Sequence, residues 1–109
     1  MPKFLTIGYG DASGYARLTP AVRDEAHAND DKLKRGGALM GIAGAPVQVR
    51  NPGGRGVATD SGAFMTSAMP VAGFAVIEAD DLADAIALVA KSPCAVADGV
   101  IEVWPIEGA

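Results

Sequence analysis

Residues 71–89 read Val71-Ala72-Gly73-Phe74-Ala75-Val76-Ile77-Glu78-Ala79-Asp80-Asp81-Leu82-Ala83-Asp84-Ala85-Ile86-Ala87-Leu88-Val89, and this stretch decides the fold. In an extended chain Val71, Gly73, Ala75 and Ile77 fall on one side, and Ala72, Phe74 and Val76 on the other. Both sets are apolar, so a strand over 71–79 is expected, with both faces covered over part of its length. Asp80-Asp81 then offers side-chain oxygens to the free amides of a helix start. Leu82, Ala85, Ile86 and Val89 recur at helical spacing, and Ser92-Pro93 is expected to end that helix.

The same reading extends outward. Lys3–Tyr9 is short, apolar and closed by Gly10-Asp11, as a buried first strand would be. Thr19-Pro20 opens a helix, with threonine as cap and proline at the first turn. It runs to Gly36-Gly37, with Lys32, Lys34 and Arg35 near its negative end. Its apolar stripe is thin: Val22, Ala26 and Leu33. A second strand is expected over Ala38–Ala45, ended by Pro46. Val47–Arg50 alternates, Asn51-Pro52-Gly53-Gly54 is turn chemistry, and Arg55–Thr59 is expected to return as its hairpin partner. Val57–Phe64 reads as a polar turn after that hairpin, and Met65–Pro70 as loop. Gly99–Ile106 alternates as a last strand.

The order is strand, helix, strand, hairpin, strand, helix, strand: an α+β, split βαβ repeat with a hairpin inserted. Both helices fall on one face of the sheet. The uncovered apolar face predicts a symmetric dimer, sheet against sheet.

Composition narrows the function. The chain has 109 residues, half of them hydrophobic and a fifth charged, which fits one domain over 1–109. Its net charge is −4, and its nine lysines and arginines are scattered, so no basic stripe exists to neutralise nucleic-acid phosphates. A single histidine and a single cysteine argue against a zinc site, and no cofactor is expected. One cysteine fits a reducing compartment. The amino-terminal apolar run ends within a few residues, and no apolar stretch approaches the about 20 residues of a membrane helix. A cytoplasmic protein without membrane contact is expected.

Several stretches in order resemble the YCII-related, or DGPF, domain family. Lys3-Phe4-Leu5-Thr6-Ile7-Gly8-Tyr9-Gly10-Asp11 is similar to its opening strand, and Asn29-Asp30-Asp31-Lys32-Leu33 with Gly37 to its first helix end. Gly73–Leu82 with Ala85, then Ser92-Pro93 and Ile101-Glu102-Val103-Trp104-Pro105, match the family's later elements; Trp104 stands where arginine is usual. The resemblance implies a ferredoxin-like antiparallel sheet with two helices on one face, pairing as a dimeric α/β barrel. The naming motif Asp-Gly-Pro-Phe-Ala-Glu is altered. Gly62-Ala63-Phe64 stands for Gly-Pro-Phe, which puts Ser61 at the aspartate position unless a residue is inserted, and Thr66 at the glutamate position.

The candidate site follows from both lines. His27 is the one side chain that ordinarily titrates near neutral pH. The resemblance pairs such a helix histidine with a carboxylate, which makes His27 and Asp60 the candidate acid–base pair. Tyr9, Arg50, Ser61 and Phe64 are the candidate ligand contacts. Each has a plainer reading: a solvated histidine, turn-capping Asp60 and Ser61, an amphipathic tyrosine, strand-end charges. Two functions stay open. One is a cofactor-independent acid–base enzyme of lyase or isomerase type acting on a small molecule. The other is a non-catalytic ligand-binding or regulatory domain whose site has degenerated.

Overall fold

The computed structural model describes residues 1–108; residue 109, the end of the expected domain, lies outside them. The elements in chain order are β1 (Lys3–Tyr9), α1 (Ala12–Ala16), α2 (Pro20–Arg35), β2 (Leu39–Ile42), β3 (Val47–Arg50), a 3₁₀ turn (Pro52–Gly54), β4 (Ala58–Ser61), β5 (Val71–Glu78), α3 (Leu82–Val89), α4 (Pro93–Val96) and β6 (Val100–Pro105). Four strands form an antiparallel sheet in the order β2-β5-β1-β6, and β3 pairs with β4 as a separate ribbon. This is the α+β, ferredoxin-like arrangement expected.

The central pair is β1 with β5. Its register sets Phe4 beside Ile77 and Thr6 beside Ala75, and these side chains face the helices. Phe4, Ala75, Ile77, Ala79, Ala85 and Val89 form the buried core, with Met40, Leu88, Ile101 and Val103 packed around it. The buried Thr6 hydroxyl donates to the Ala75 carbonyl at 3.5 Å. The caps are built as the sequence implies. The Thr19 hydroxyl accepts from the Val22 amide at 3.3 Å, and the Asp81 carboxylate from the Asp84 amide at 2.8 Å. Such a cap is worth about 1 kcal/mol.

One element is additional to those expected, and four expectations are corrected. The stretch after Asp11 is a short helix, its first amides capped by the Asp11 carboxylate, which Gly14 and Ser13 hold below its ordinary range. Strand β2 stops at Ile42, so residues 43–45 only lead toward the ribbon. The return strand is Ala58–Ser61, not Arg55–Thr59, so Asp60 and Ser61 lie in a strand and not in a turn. Helix α3 ends at Val89, and Ser92-Pro93 begins α4 instead of ending α3. Finally, only part of each helical stripe is buried: Ala26, Ala85 and Val89 face the sheet, while Val22, Leu82 and Ile86 face outward.

The chain closes tightly where α4 passes into β6. A methyl on Gly99 would stand 2.2 Å from the Tyr9 carbonyl oxygen and 2.6 Å from that of Cys94, both backbone atoms that cannot swing aside. Gly99→Ala is therefore expected to lower unfolding free energy by about 2–3 kcal/mol in urea titration. Gly56→Ala, whose methyl meets nothing within 4 Å, should change it by less than about 0.5 kcal/mol.

Candidate functional site

A cavity of about 380 Å³ lies between α2 and the sheet. Its existence follows from side-chain size. Gly8 lies opposite Gly73 in the β1–β5 register, so the sheet has no bulk there, while Phe4 and Ile77 fill the other end. Both glycines are also required locally. A methyl on Gly73 would meet the Gly41 carbonyl at 2.7 Å, and one on Gly8 would meet Cys94 Sγ at 2.9 Å. The walls are mainly apolar, from Leu33, Met40, Ala75, Val89 and Ile101. Into them come His27, Asp30, Lys34, Ser92 and Cys94.

Helix α2 delivers the polar groups because His27, Asp30 and Lys34 recur at spacings of three and four, on one side of the helix. The helix is held in place by Asn29, whose side-chain amide donates to the Leu88 carbonyl at 3.1 Å and to the Ser92 hydroxyl at 3.4 Å. His27 Nε2 hydrogen-bonds the Tyr15 hydroxyl at 2.5 Å, and the Arg23 guanidinium lies 5.3 Å from the centre of the Tyr15 ring. Asp30 carries the electrostatic tension of the site. Burial raises its carboxyl above the ordinary 3.8, against the pull of Lys34 and His27, and its Oδ1 has no hydrogen-bond partner among the described residues. Cys94, packed over Gly8, has its thiol raised by burial, and the Asp30 charge adds to this.

The other candidate residues stand elsewhere. Asp60 is on β4 and ion-pairs with Arg50 at 3.2 Å, so within one chain neither its contacts nor the cavity lining bring it to His27. Arg50 and Phe64 line a second hollow, of about 350 Å³, along the β3–β4 ribbon, where the guanidinium lies 5.7 Å from the ring centre. Ser61 ends β4 beside it, opposite Val47. Tyr9 points to the opposite face of the sheet from the cavity. Its hydroxyl donates to Glu102 at 2.7 Å, and that bond raises its pKa. Asp30, Cys94, Ser92 and Tyr15 are site residues that the sequence reading missed. The available signal was the i, i+3 spacing of His27 and Asp30 on the thinly apolar side of α2.

Asp30 couples the cavity to pH. An unfolded aspartate titrates near 3.8 and the folded one higher, so the folded state binds the proton more tightly. The contribution to stability is present below 3.8 and is lost as pH rises through the raised value. Asp30→Asn is expected to raise the melting temperature at pH 7, with the gain shrinking toward pH 4. The same variant should speed alkylation of Cys94 at pH 8, since it removes a charge that opposes the thiolate. Unchanged alkylation would show that the two groups are not coupled.

No curated protein matches the chain closely enough to lend it a function. The model of the YCII-related domain matches residues 3–108, nearly the whole chain. With the split βαβ order and the antiparallel sheet already established, the match is decisive: the chain belongs to the YCII-related domain family.

Proposed function

We propose that this chain is a single-domain, small-molecule-binding protein whose ligand occupies the cavity between α2 and the sheet. One observation carries the reading: a mainly apolar cavity of about 380 Å³ is lined by Asp30, a half-buried carboxylate whose Oδ1 has no hydrogen-bond partner among the described residues. An unpaired buried acceptor is costly, and a ligand donor placed there removes the cost. The ligand class is thus a compact apolar or aromatic molecule with a hydroxyl or amine. The binding reading is preferred to the catalytic one because His27 is engaged by Tyr15 and Asp60 by Arg50, on separate elements.

A second reading has its own support. The 2.5 Å contact of His27 with Tyr15 at the cavity rim is a short phenol–imidazole pair of the kind that relays protons. A cofactor-independent lyase or isomerase would use His27 in this way, with Asp60 delivered from elsewhere.

The protein also pairs, in this proposal, through the open face of its sheet. Leu39, Val76, Leu5 and Trp104 form one row across all four strands on that face, and Phe74 and Ile7 begin the next. Leu39 is 75% exposed, and Phe74 and Trp104 are about half exposed. A face of this kind is seldom left to water.

Two measurements test these readings. A thermal-shift screen with phenols and aromatic amines should give a rising melting temperature, and Asp30→Ala should weaken the best binder about tenfold. An unchanged affinity would sink the cavity assignment, whereas a turnover lost in His27→Ala together with Asp60→Asn would favour the enzyme. Sedimentation equilibrium should give a dimer for the wild type and a folded monomer for Leu39→Asp/Phe74→Asp.

A further inference from the structure

The β3–β4 ribbon does not fold back on its own chain. From residue 44 to residue 68 every residue except Gln48 is exposed. The molecule extends 53 Å along its longest axis, with a radius of gyration of 15.8 Å, against about 13 Å for a compact chain of this length. The ribbon has two unlike faces. Gln48 lies opposite Asp60 and Arg50 opposite Ala58, and this face is satisfied internally. Arg50 donates to Asp60 at 3.2 Å and to the Gln48 side-chain oxygen at 3.1 Å, and stacks on Phe64. The other face carries Val47 opposite Ser61 and Val49 opposite Thr59, and both valines are about two-thirds exposed. A two-stranded ribbon is marginal in water when alone, and here its apolar face has nothing of its own chain to cover it.

We infer that this ribbon is a clasp for a second copy of the chain, laid valine face down on the partner's body. The inference rests on the sheet-to-sheet pairing proposed above. Three features select a second copy. The ribbon grows directly out of the β2–β5 pair, whose open face carries Leu39 and Phe74, so it continues the surface assigned to pairing. Net charge agrees in sign: with Arg50 paired to Asp60, Arg55 leaves residues 43–69 at +1, while the rest of a chain whose total is −4 carries −5. A two-fold axis then places two such arms reciprocally, each on the acidic body of the other copy.

Sedimentation equilibrium on the intact protein tests the clasp, with wild type, Val47→Asp/Val49→Asp and a variant in which residues 46–64 are replaced by a short Gly-Ser turn. Both variants should unfold cooperatively on heating, the double substitution keeping the wild-type far-ultraviolet spectrum, and both should weaken the dimer at least about tenfold, while the wild-type dimer should loosen as salt screens the complementary charges. Backbone amides of β3 and β4 should exchange more slowly above the dimer dissociation constant than below it. A wild-type dimer with variants of equal affinity overturns the clasp and leaves the pairing intact. A monomeric wild type overturns both. Sedimentation of the wild type, but not the double variant, with phosphatidylglycerol vesicles would assign the valine face to a lipid surface and likewise overturn the clasp.

Discussion

Two helices packed on a four-stranded sheet can cover only one of its faces, and most of this molecule's features follow from that asymmetry. On the covered side, Phe4, Ala75 and Ile77 meet Ala85 and Val89, and Ile77 is only 2% exposed. On the other side Leu39, Phe74 and Trp104 are exposed to water. Burial of an aliphatic or aromatic side chain is worth roughly 1.5–3 kcal/mol, so each of these exposed side chains forgoes a stabilisation that its counterparts on the closed face realise.

The polar chemistry of the open face supports this. Glu102 lies among apolar side chains, but its Oε1 accepts from both the Tyr9 hydroxyl at 2.7 Å and the Trp104 indole at 3.3 Å. A carboxylate that is already solvated by protein donors can be covered at less cost than a bare one. Trp104 adds apolar area to this face while keeping a donor toward the glutamate. On the covered side the balance is reversed. Small residues, Gly8, Gly73 and Cys94, leave space beneath α2, and Asp30, which lines it, has a buried oxygen without a hydrogen-bond partner among the described residues.

The contrast between what was legible in the sequence and what was not has a physical basis. Strand β1, the start of α2 and the strand–helix join at Asp81 came directly from residues, because burial periodicity and capping are local properties. The split βαβ order followed from them. The polar turn expected around Asp60 failed for an equally local reason. A ribbon that stands in solvent has little pattern to distinguish it from a turn, since neither face is selected by a core. Helix α1 is a single capped turn without an apolar stripe, and nothing but Asp11 announces it. The cavity was missed because it is defined by absent side chains on β1 and β5 and by α4, elements far apart in sequence. His27 was found for its chemistry, but its partner Tyr15 depends on how α1 meets α2, while Asp30, three residues on along α2, was legible only as spacing.

The altered motif gains a different meaning in this setting. Asp60, Ser61, Gly62 and Phe64 lie on or beside the ribbon, and none of them lines the cavity that His27 lines. Gly62, with φ of 95°, takes a conformation that favours glycine, and its amide donates to the Pro46 carbonyl at 3.1 Å, closing the base of the ribbon. Phe64 then covers Arg50, and Arg50 reaches Asp60. These are interactions that set the shape of an arm. Asp60 is neutralised there by Arg50 of the facing strand. Gly62 and Phe64 thus shape the ribbon, while the polar groups that line the cavity come from α2 and the start of α4.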